Sequence, residues 1–210
     1  MRIAIVTFDG FNEIDSFVVF HLLNRAAAEG WRAEIVGPSA EVRSLNGVRV
    51  AVQQPLESAN DADAVLFGSG RLTRQLVEDA ALLSRFRLDP RRQLIGAQCS
   101  GALFLAKLGV LGGLPVCTDM KTRPFVEAAG VRVLDRSFFA SGNVASAGGC
   151  LASPCLATWT IWRLLGREAA AAALEYVAPV GERERFIAQT LDAVAPFVES
   201  AKVESAVVGG

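Results

Sequence analysis

Histidine is nearly missing from this chain: His21 is the only one in 210 residues. A cysteine triad of the peptidase or amidotransferase kind needs an imidazole close to its nucleophile. No histidine stands beside or downstream of any of the four cysteines, at positions 99, 117, 150 and 155. Those cysteines form no close CxxC pair and fall short of the density of a small secreted disulfide domain, so a structural zinc site is not expected. Excess charge of either sign is missing too. The 21 Lys and Arg are balanced by 22 Asp and Glu and lie scattered, which leaves no electrostatic footprint for nucleic acid or an anionic membrane. Long apolar runs are lacking, because strand-like segments are broken by Gly, Pro and charge. No basic-then-apolar leader follows Met1, so a soluble, cytoplasmic protein is expected. There is no internal repeat, low-complexity tract or linker.

What is present is apolar content, 51% of the chain, enough for one sizeable core. One domain is expected over residues 1–200, with 201–210 as a frayed tail. Arg2 to Phe8 reads as a strand, and Ile14 to Ala28 has helical spacing. Strands are expected at Arg32–Val36 and Ala62–Phe67, with a hairpin over Val42–Val52 turning at Asn46-Gly47. Leu72 to Arg87 is helical in pattern, and the next strand runs into Cys99. Such alternation of strand and helix implies right-handed crossovers and a mostly parallel sheet covered on both faces. Short strands follow near Val116 and Val131–Ala140, around a helix starting at Thr122-Arg123-Pro124. An elbow at 145–149 opens a long apolar helix to about Leu165, followed by an alanine-rich helix to Tyr176 and a last one over Glu182–Val198.

The segment Gln93 to Leu105 carries the chemistry. An apolar run breaks at Cys99-Ser100-Gly101 and resumes with helical spacing, as in a strand, a sharp elbow and a helix. A thiol there meets unpaired backbone N–H groups at the positive end of a helix, which can hold a thiolate or a developing negative charge. The same pattern also fits a buried apolar cysteine at a strand end. In a parallel sheet three strand-to-loop junctions share one edge: Phe8 to Asp15, Gly68 to Gly70, and Cys99 to Gly101. Together they offer carboxylates, small-residue N–H donors and a thiol, the parts of a nucleophilic site with an oxyanion hole. Asp9 and Glu13 read as helix-capping carboxylates. Asp15 is followed by the apolar Phe17, Val18, Phe20 and Leu22, so it stands at the core edge, where a carboxylate must be paired or protonated. His21 reads as a core-edge histidine. Cys117, Cys150 and Cys155 read as buried small residues, the last two on the long apolar helix, and Trp31, Trp159 and Trp162 as packing residues. Asp119, Lys121 and Arg123 form a solvated loop cluster within reach of the crevice.

Taken together, Ile3 to Phe8 with the loop to Asp15, the Gly68-Ser69-Gly70 turn, the Ala97-Gln98-Cys99-Ser100-Gly101 elbow and Ala147-Gly148-Gly149 resemble the ThiJ/PfpI superfamily over nearly the whole chain. The resemblance implies an α/β, flavodoxin-like, class I glutamine amidotransferase-like fold and a homodimer. Within the superfamily the chain looks most like the isocyanide (isonitrile) hydratase branch. There an aspartate stands where many relatives have glutamate, and Thr or Ser follows the cysteine. That implies Cys99 as nucleophile, Asp15 as acid and base, and Ser69, Gly70 and Ser100 as oxyanion and substrate-binding groups. It also implies a small-molecule electrophile as substrate and no metal or organic cofactor. The chain departs from the branch in having Gly68-Ser69-Gly70 for Pro-Gly-Gly, Cys117-Thr118-Asp119 for Thr-Thr-His, and Cys150-Leu151-Ala152-Ser153-Pro154 for a small-residue run. Glyoxalase-type aldehyde chemistry and a non-enzymatic role in oxidant sensing or ligand binding are the alternatives.

Overall fold

The computed structural model describes residues 1–26 and 28–208, with the side chains of the last helix described as far as Val198. Its elements in chain order are β1 (Arg2–Val6), α1 (Glu13–Leu23), β2 (Arg32–Gly37), β3 (Glu41–Arg43), β4 (Arg49–Ala51), β5 (Gln54–Pro55), β6 (Ala64–Phe67), α2 (Thr73–Leu76), α3 (Ala80–Leu83), β7 (Leu94–Gln98), α4 (Ala102–Lys107), α5 (Arg123–Ala128), β8 (Phe138–Ser141), β9 (Val144–Ala147), α6 (Ser153–Leu165), α7 (Arg167–Leu174) and α8 (Arg183–Val208). Short 3-10 turns cover Leu56–Asp61, Cys99–Gly101 and Cys150–Ala152.

Seven strands form one sheet in the order β5-β2-β1-β6-β7-β9-β8, all parallel except the edge strand β8. Strand residues alternate between two cores. Ile3, Ile5, Ala33, Leu66 and Leu94 join the cluster under α1, α6, α7 and α8, whereas Ala4, Val6, Val36, Phe67 and Ile95 join the one that includes Leu103 and Phe104 of α4. Both faces are therefore dry, which is why these strands read as near-continuous apolar runs rather than alternating ones. Trp159 is wholly buried in the first cluster. The chain leaves β1 for β2 on one side, and β6 and β7 lie on the other, so the strand order reverses between β1 and β6. A crevice opens at the carboxyl ends of strands at such a switch point.

Several boundaries differ from the sequence reading. The first helix stops at Leu23, where Asn24 Nδ2 donates to Phe20 O at 2.9 Å and to Ala33 O at 3.1 Å and turns the chain into β2. The segment 72–87 holds two one-turn helices, α2 and α3, the second restarted by Asp79 Oδ1 accepting from Ala81 N and Leu82 N. The hairpin forms over Glu41–Ala51 as expected within one residue, but its turn covers 44–48 around Asn46-Gly47 rather than two residues alone, with Ser44 N donating to Val48 O at 2.8 Å. The strand expected over Val131–Ala140 reduces to a single bridge between Val116 and Val133 before β8 begins. The first half of the expected elbow, 145–147, belongs to strand β9, paired with β7, and the chain turns at Gly148-Gly149 before the 3-10 turn at Cys150. Helix α8 continues past Val198 to Val208, and Gly209 and Gly210, the end of the segment expected to fray, lie outside the described residues.

The elbow after β7 depends on Gly101. A Cβ at that position would lie 2.5 Å from Phe67 O and 2.8 Å from Gly68 O, closer than carbon and carbonyl oxygen can approach, and both obstacles are backbone. Gly101 therefore lets α4 start against the end of β6. Gly101→Ala is expected to lower stability by about 2 kcal/mol or more, because the clash cannot be relieved by a rotamer change. Equilibrium urea unfolding reads this, and an unchanged midpoint would contradict it.

Candidate active site

Three loops at the carboxyl edge of the sheet bring the site together. After β1, Asn12 caps α1, its Oδ1 accepting from Ile14 N at 3.2 Å, and Asp15 follows in the first turn. The loop is stitched to the turn after β6 by Asn12 N donating to Ser69 O at 2.9 Å and by the bridge between Phe11 and Gly70. Asp15 is 1% exposed and accepts a short hydrogen bond on Oδ2 from Ser69 Oγ. Its other oxygen, Oδ1, is buried with no hydrogen-bond partner.

Cys99 sits where β7 ends, at φ 47, the only described non-glycine residue in the left-handed region. That conformation costs a side-chain-bearing residue about 1–3 kcal/mol. It persists because Gly101 and the flanking hydrogen bonds leave no alternative: Thr118 Oγ1 donates to Cys99 O at 2.8 Å, and Gln98 Nε2 to Gly149 O at 2.7 Å. The strain aims the thiol at the carboxylate. A carboxylate oxygen of Asp15, Cys99 Sγ and Cys150 Sγ all lie within 4.8 Å of one another, the only such cluster of potential metal donors among the described residues. The two sulfurs are 4.0 Å apart, and Asn12 Nδ2 donates to Cys150 Sγ at 3.1 Å. On geometry this trio could hold a thiophilic ion, although Ser69 already engages one carboxylate oxygen.

Electrostatics differ from the sequence expectation of a thiolate. The Cys99 thiol is 3% exposed, and burial pushes its pKa far up, with the Asp15 carboxyl and then Cys150 adding to the shift; Gln98 Nε2, 3.7 Å from Sγ, opposes it. Only the 3-10 turn Cys99–Gly101 and the six-residue α4 stand behind the thiol, too little to outweigh that desolvation. Burial also raises Asp15 above its ordinary value of 3.8, while the Ser69 hydroxyl and the two thiols pull it back. The resting pair is a neutral thiol beside a carboxyl group whose charged form burial disfavours.

The remaining expected residues take defined places. Gly70 N–H is donated to Ser100 Oγ at 3.1 Å, and Thr73 Oγ1 lies 3.0 Å from the same oxygen, so Gly70 reaches the site through Ser100. Asp9 does not cap a helix: its Oδ1 accepts from Arg43 N at 2.7 Å and holds β3. Glu13 lies in the first turn of α1, but its side chain binds Ser44 Oγ and Asn46 Nδ2, tying α1 to the hairpin. Cys150 is neither buried nor on the long helix; it occupies the 3-10 turn before α6, half-buried, against Cys99. Burial pushes the Cys117 and Cys155 thiols up to about 11, and neither belongs to the cluster. Asn12, Gln98, Thr73 and Thr118 were not singled out from sequence; only the position of Asn12 ahead of Glu13 carried a signal, that of a helix cap.

Two cavities meet at the rim of this site. One, of about 480 Å³, is lined by Thr118, Asp119, Arg123, Arg136 and Gly148. The other, of about 580 Å³, is lined by Gly149, Cys150, Leu151, Cys155 and Phe186. Cys99 lines neither; the two cavities share Ser137, Gly148 and Gly149.

A parallel sheet with this switch point and a cysteine on the elbow after β7 defines a flavodoxin-like fold. Residues 1–160 match the model of the DJ-1/PfpI family, and the chain belongs to that family. Among solved structures it is similar to a ThiJ/PfpI family protein from Pseudomonas syringae, with a TM-score of 0.75 and 20% identity over 96% of this chain and 89% of that one. It is also similar to Schizosaccharomyces pombe DJ-1, with a TM-score of 0.72 and 15% identity over 85% of this chain and 100% of that one. An oxidized Toxoplasma gondii DJ-1 aligns with a TM-score of 0.70 and 18% identity over 84% and 97% of the two chains. At these identities the likeness is one of fold. A search of curated protein sequences gave no match. No described helix is long and apolar enough to cross a membrane.

The raised pKa of Asp15 makes a stability prediction. A carboxyl whose folded pKa lies above its unfolded value binds more protons when folded, so folding weakens as pH rises from 3.8 toward the folded value. The loss is about 1.4 kcal/mol per pH unit across that window. Wild type should therefore lose stability relative to Asp15→Asn as pH rises through this range, read from urea midpoints. A gap between the two that stays constant with pH would contradict it.

Proposed function

We propose that this protein is a cofactor-independent hydratase of small electrophiles, most concretely an isocyanide hydratase giving N-substituted formamides. The observation that supports this best is the Asp15 carboxyl, with one oxygen held by Ser69, the other buried without a hydrogen-bond partner, and a carboxylate oxygen within 4.8 Å of the Cys99 sulfur. Hydration of an isocyanide needs a sulfur nucleophile and one group that moves protons at successive steps, with no separate base. Cys99 Sγ bonds to the terminal isocyanide carbon as Asp15 passes the thiol proton to that carbon, leaving a thioimidate. Water then adds to the same carbon, Asp15 takes its proton, and the carbon–sulfur bond breaks. Asp15 hands that water proton to nitrogen, the second water proton passes from the new hydroxyl to Sγ as the carbonyl forms, and the formamide leaves with the original thiol proton as its C–H.

Backbone N–H groups of Ser69 and Ser100 steady the charge that develops during both additions. Gly70 serves as a positioning residue through its bond to Ser100 Oγ. Ser69 supplies a hydroxyl that the usual Pro-Gly-Gly turn of the resembling branch lacks, and that hydroxyl fixes the proton-carrying carboxyl. Slim substrates suit the approach, since the thiol is 3% exposed and lines neither cavity. An isocyanide presents a narrow linear end, whereas methylglyoxal presents a hydrated, branched one. The homodimer implied by the resemblance is part of this proposal, supported by Ile14, which stands 47% exposed on α1.

Purified protein should convert an aryl isocyanide to its formamide, and Cys99→Ala should abolish turnover. Asp15→Asn, which keeps shape but carries no mobile proton, should lower kcat on the order of 100-fold or more. Chromatography of the product with methylglyoxal run in parallel reads both; turnover surviving Cys99→Ala, or selective use of methylglyoxal, would sink the assignment. Ser69→Ala should preserve the fold while shifting the acidic limb of the kcat against pH profile upward, because Asp15 loses the hydroxyl that lowers its pKa. An unshifted limb would remove Ser69 from the account.

A further inference from the structure

Cys150 has no step in the hydration chemistry, yet its sulfur lies 4.0 Å from that of Cys99. A disulfide needs about 2 Å between sulfurs, and one side-chain rotation swings a cysteine sulfur by about 3 Å. Cys150 opens the 3-10 turn ahead of α6, directly after Gly149 at φ 86, and Ser153 holds its carbonyl, Oγ donating at 2.6 Å, so the sulfur closes on Cys99 by side-chain rotation. Its surroundings are equipped for thiol chemistry. Asn12 Nδ2 donates to its sulfur at 3.1 Å, and an Asp15 oxygen lies within 4.8 Å of both sulfurs. Access is uneven: Cys150 lines the cavity of about 580 Å³, whereas Cys99 is 3% exposed and lines neither cavity.

We propose that Cys99 and Cys150 form a reversible intramolecular disulfide, made when a small hydroperoxide enters the cavity beside Leu151 and oxidises Cys150 first. The Cys150 sulfur attacks the terminal peroxide oxygen; the sulfur–oxygen bond forms, the oxygen–oxygen bond breaks, and water or an alcohol leaves. Cys99 Sγ then attacks the Cys150 sulfur. The sulfur–sulfur bond forms, the sulfur–oxygen bond breaks, and the hydroxide departs as water with the Cys99 proton relayed by Asp15. Two thiols are oxidised and one peroxide is reduced, and a dithiol reductant reverses the change. The disulfide occupies Cys99 and keeps it from further, irreversible oxygen addition. Its effect on turnover rests on Cys99 being the hydration nucleophile, but the disulfide itself does not.

Peroxide-treated full-length protein is digested without reduction and read by mass spectrometry. The expected result is peptide 93–107 linked to peptide 137–163, with the loss of two hydrogens, reversed by dithiothreitol. Cys150→Ser should lose the link and Cys155→Ser, in the same peptide, should keep it. A link that survives in Cys150→Ser, oxygen added at Cys99 in place of the link, or a chain still fully reduced under excess peroxide would each overturn the proposal. The wild-type digest alone decides if a variant fails to fold. Isocyanide turnover measured on the linked protein should vanish and return with dithiothreitol; linked protein that still turns over keeps the disulfide and removes Cys99 as nucleophile.

Discussion

A buried carboxyl group beside a buried thiol is the constraint around which this edge of the molecule is organised. Asp15 at 1% exposure and Cys99 at 3% have each been withdrawn from water, which disfavours their charged forms. Neither position serves folding: an apolar pair of the same size would sit there at lower cost. The chain holds them in place by several independent ties. Ser69 fixes one carboxyl oxygen, Thr118 and Gln98 hold the elbow, and Gly101 lets β6 and α4 come close enough to force Cys99 into the left-handed region. Such convergence of desolvation, strain and an unpartnered polar atom marks a site kept for chemistry.

The state of the thiol decides the kind of chemistry. Many cysteine nucleophiles are activated as thiolates by a neighbouring imidazolium or a helix terminus. Here the neighbouring carboxyl carries a charge that opposes thiolate formation. In the proposed hydration, thiol and acid would work as a unit, the proton leaving sulfur only as a bond to carbon forms. That arrangement suits an electrophile able to accept a proton where sulfur attacks, as the terminal carbon of an isocyanide does.

Much of this could be read from sequence because it is local. The strands ending at Val6, Phe67 and Gln98 are apolar runs bounded by turn residues, and a parallel sheet necessarily brings their carboxyl ends to one edge. Asp15 betrayed itself as the acidic residue that begins an apolar helix face. Cys150 was misread because its partner lies 51 positions away and because a turn at Cys150–Ala152 intervenes before the long helix starts. The bond from Asn12 to Cys150 spans 138 positions and leaves no periodic trace. Protonation states were equally hidden. A cysteine ahead of a helix reads as a thiolate until tertiary packing shows how completely it is desolvated and which acid faces it.

The central claim, a neutral thiol coupled to Asp15, is tested most directly by the pH dependence of Cys99 alkylation, followed by peptide mass in a Cys150→Ser background. The account predicts slow alkylation at neutral pH, rising only well above the ordinary thiol value of 9.0, with the rise moved to lower pH in Asp15→Asn as the opposing charge is removed. Rapid alkylation of Cys99 already at its plateau at neutral pH, unchanged by Asp15→Asn, would contradict it.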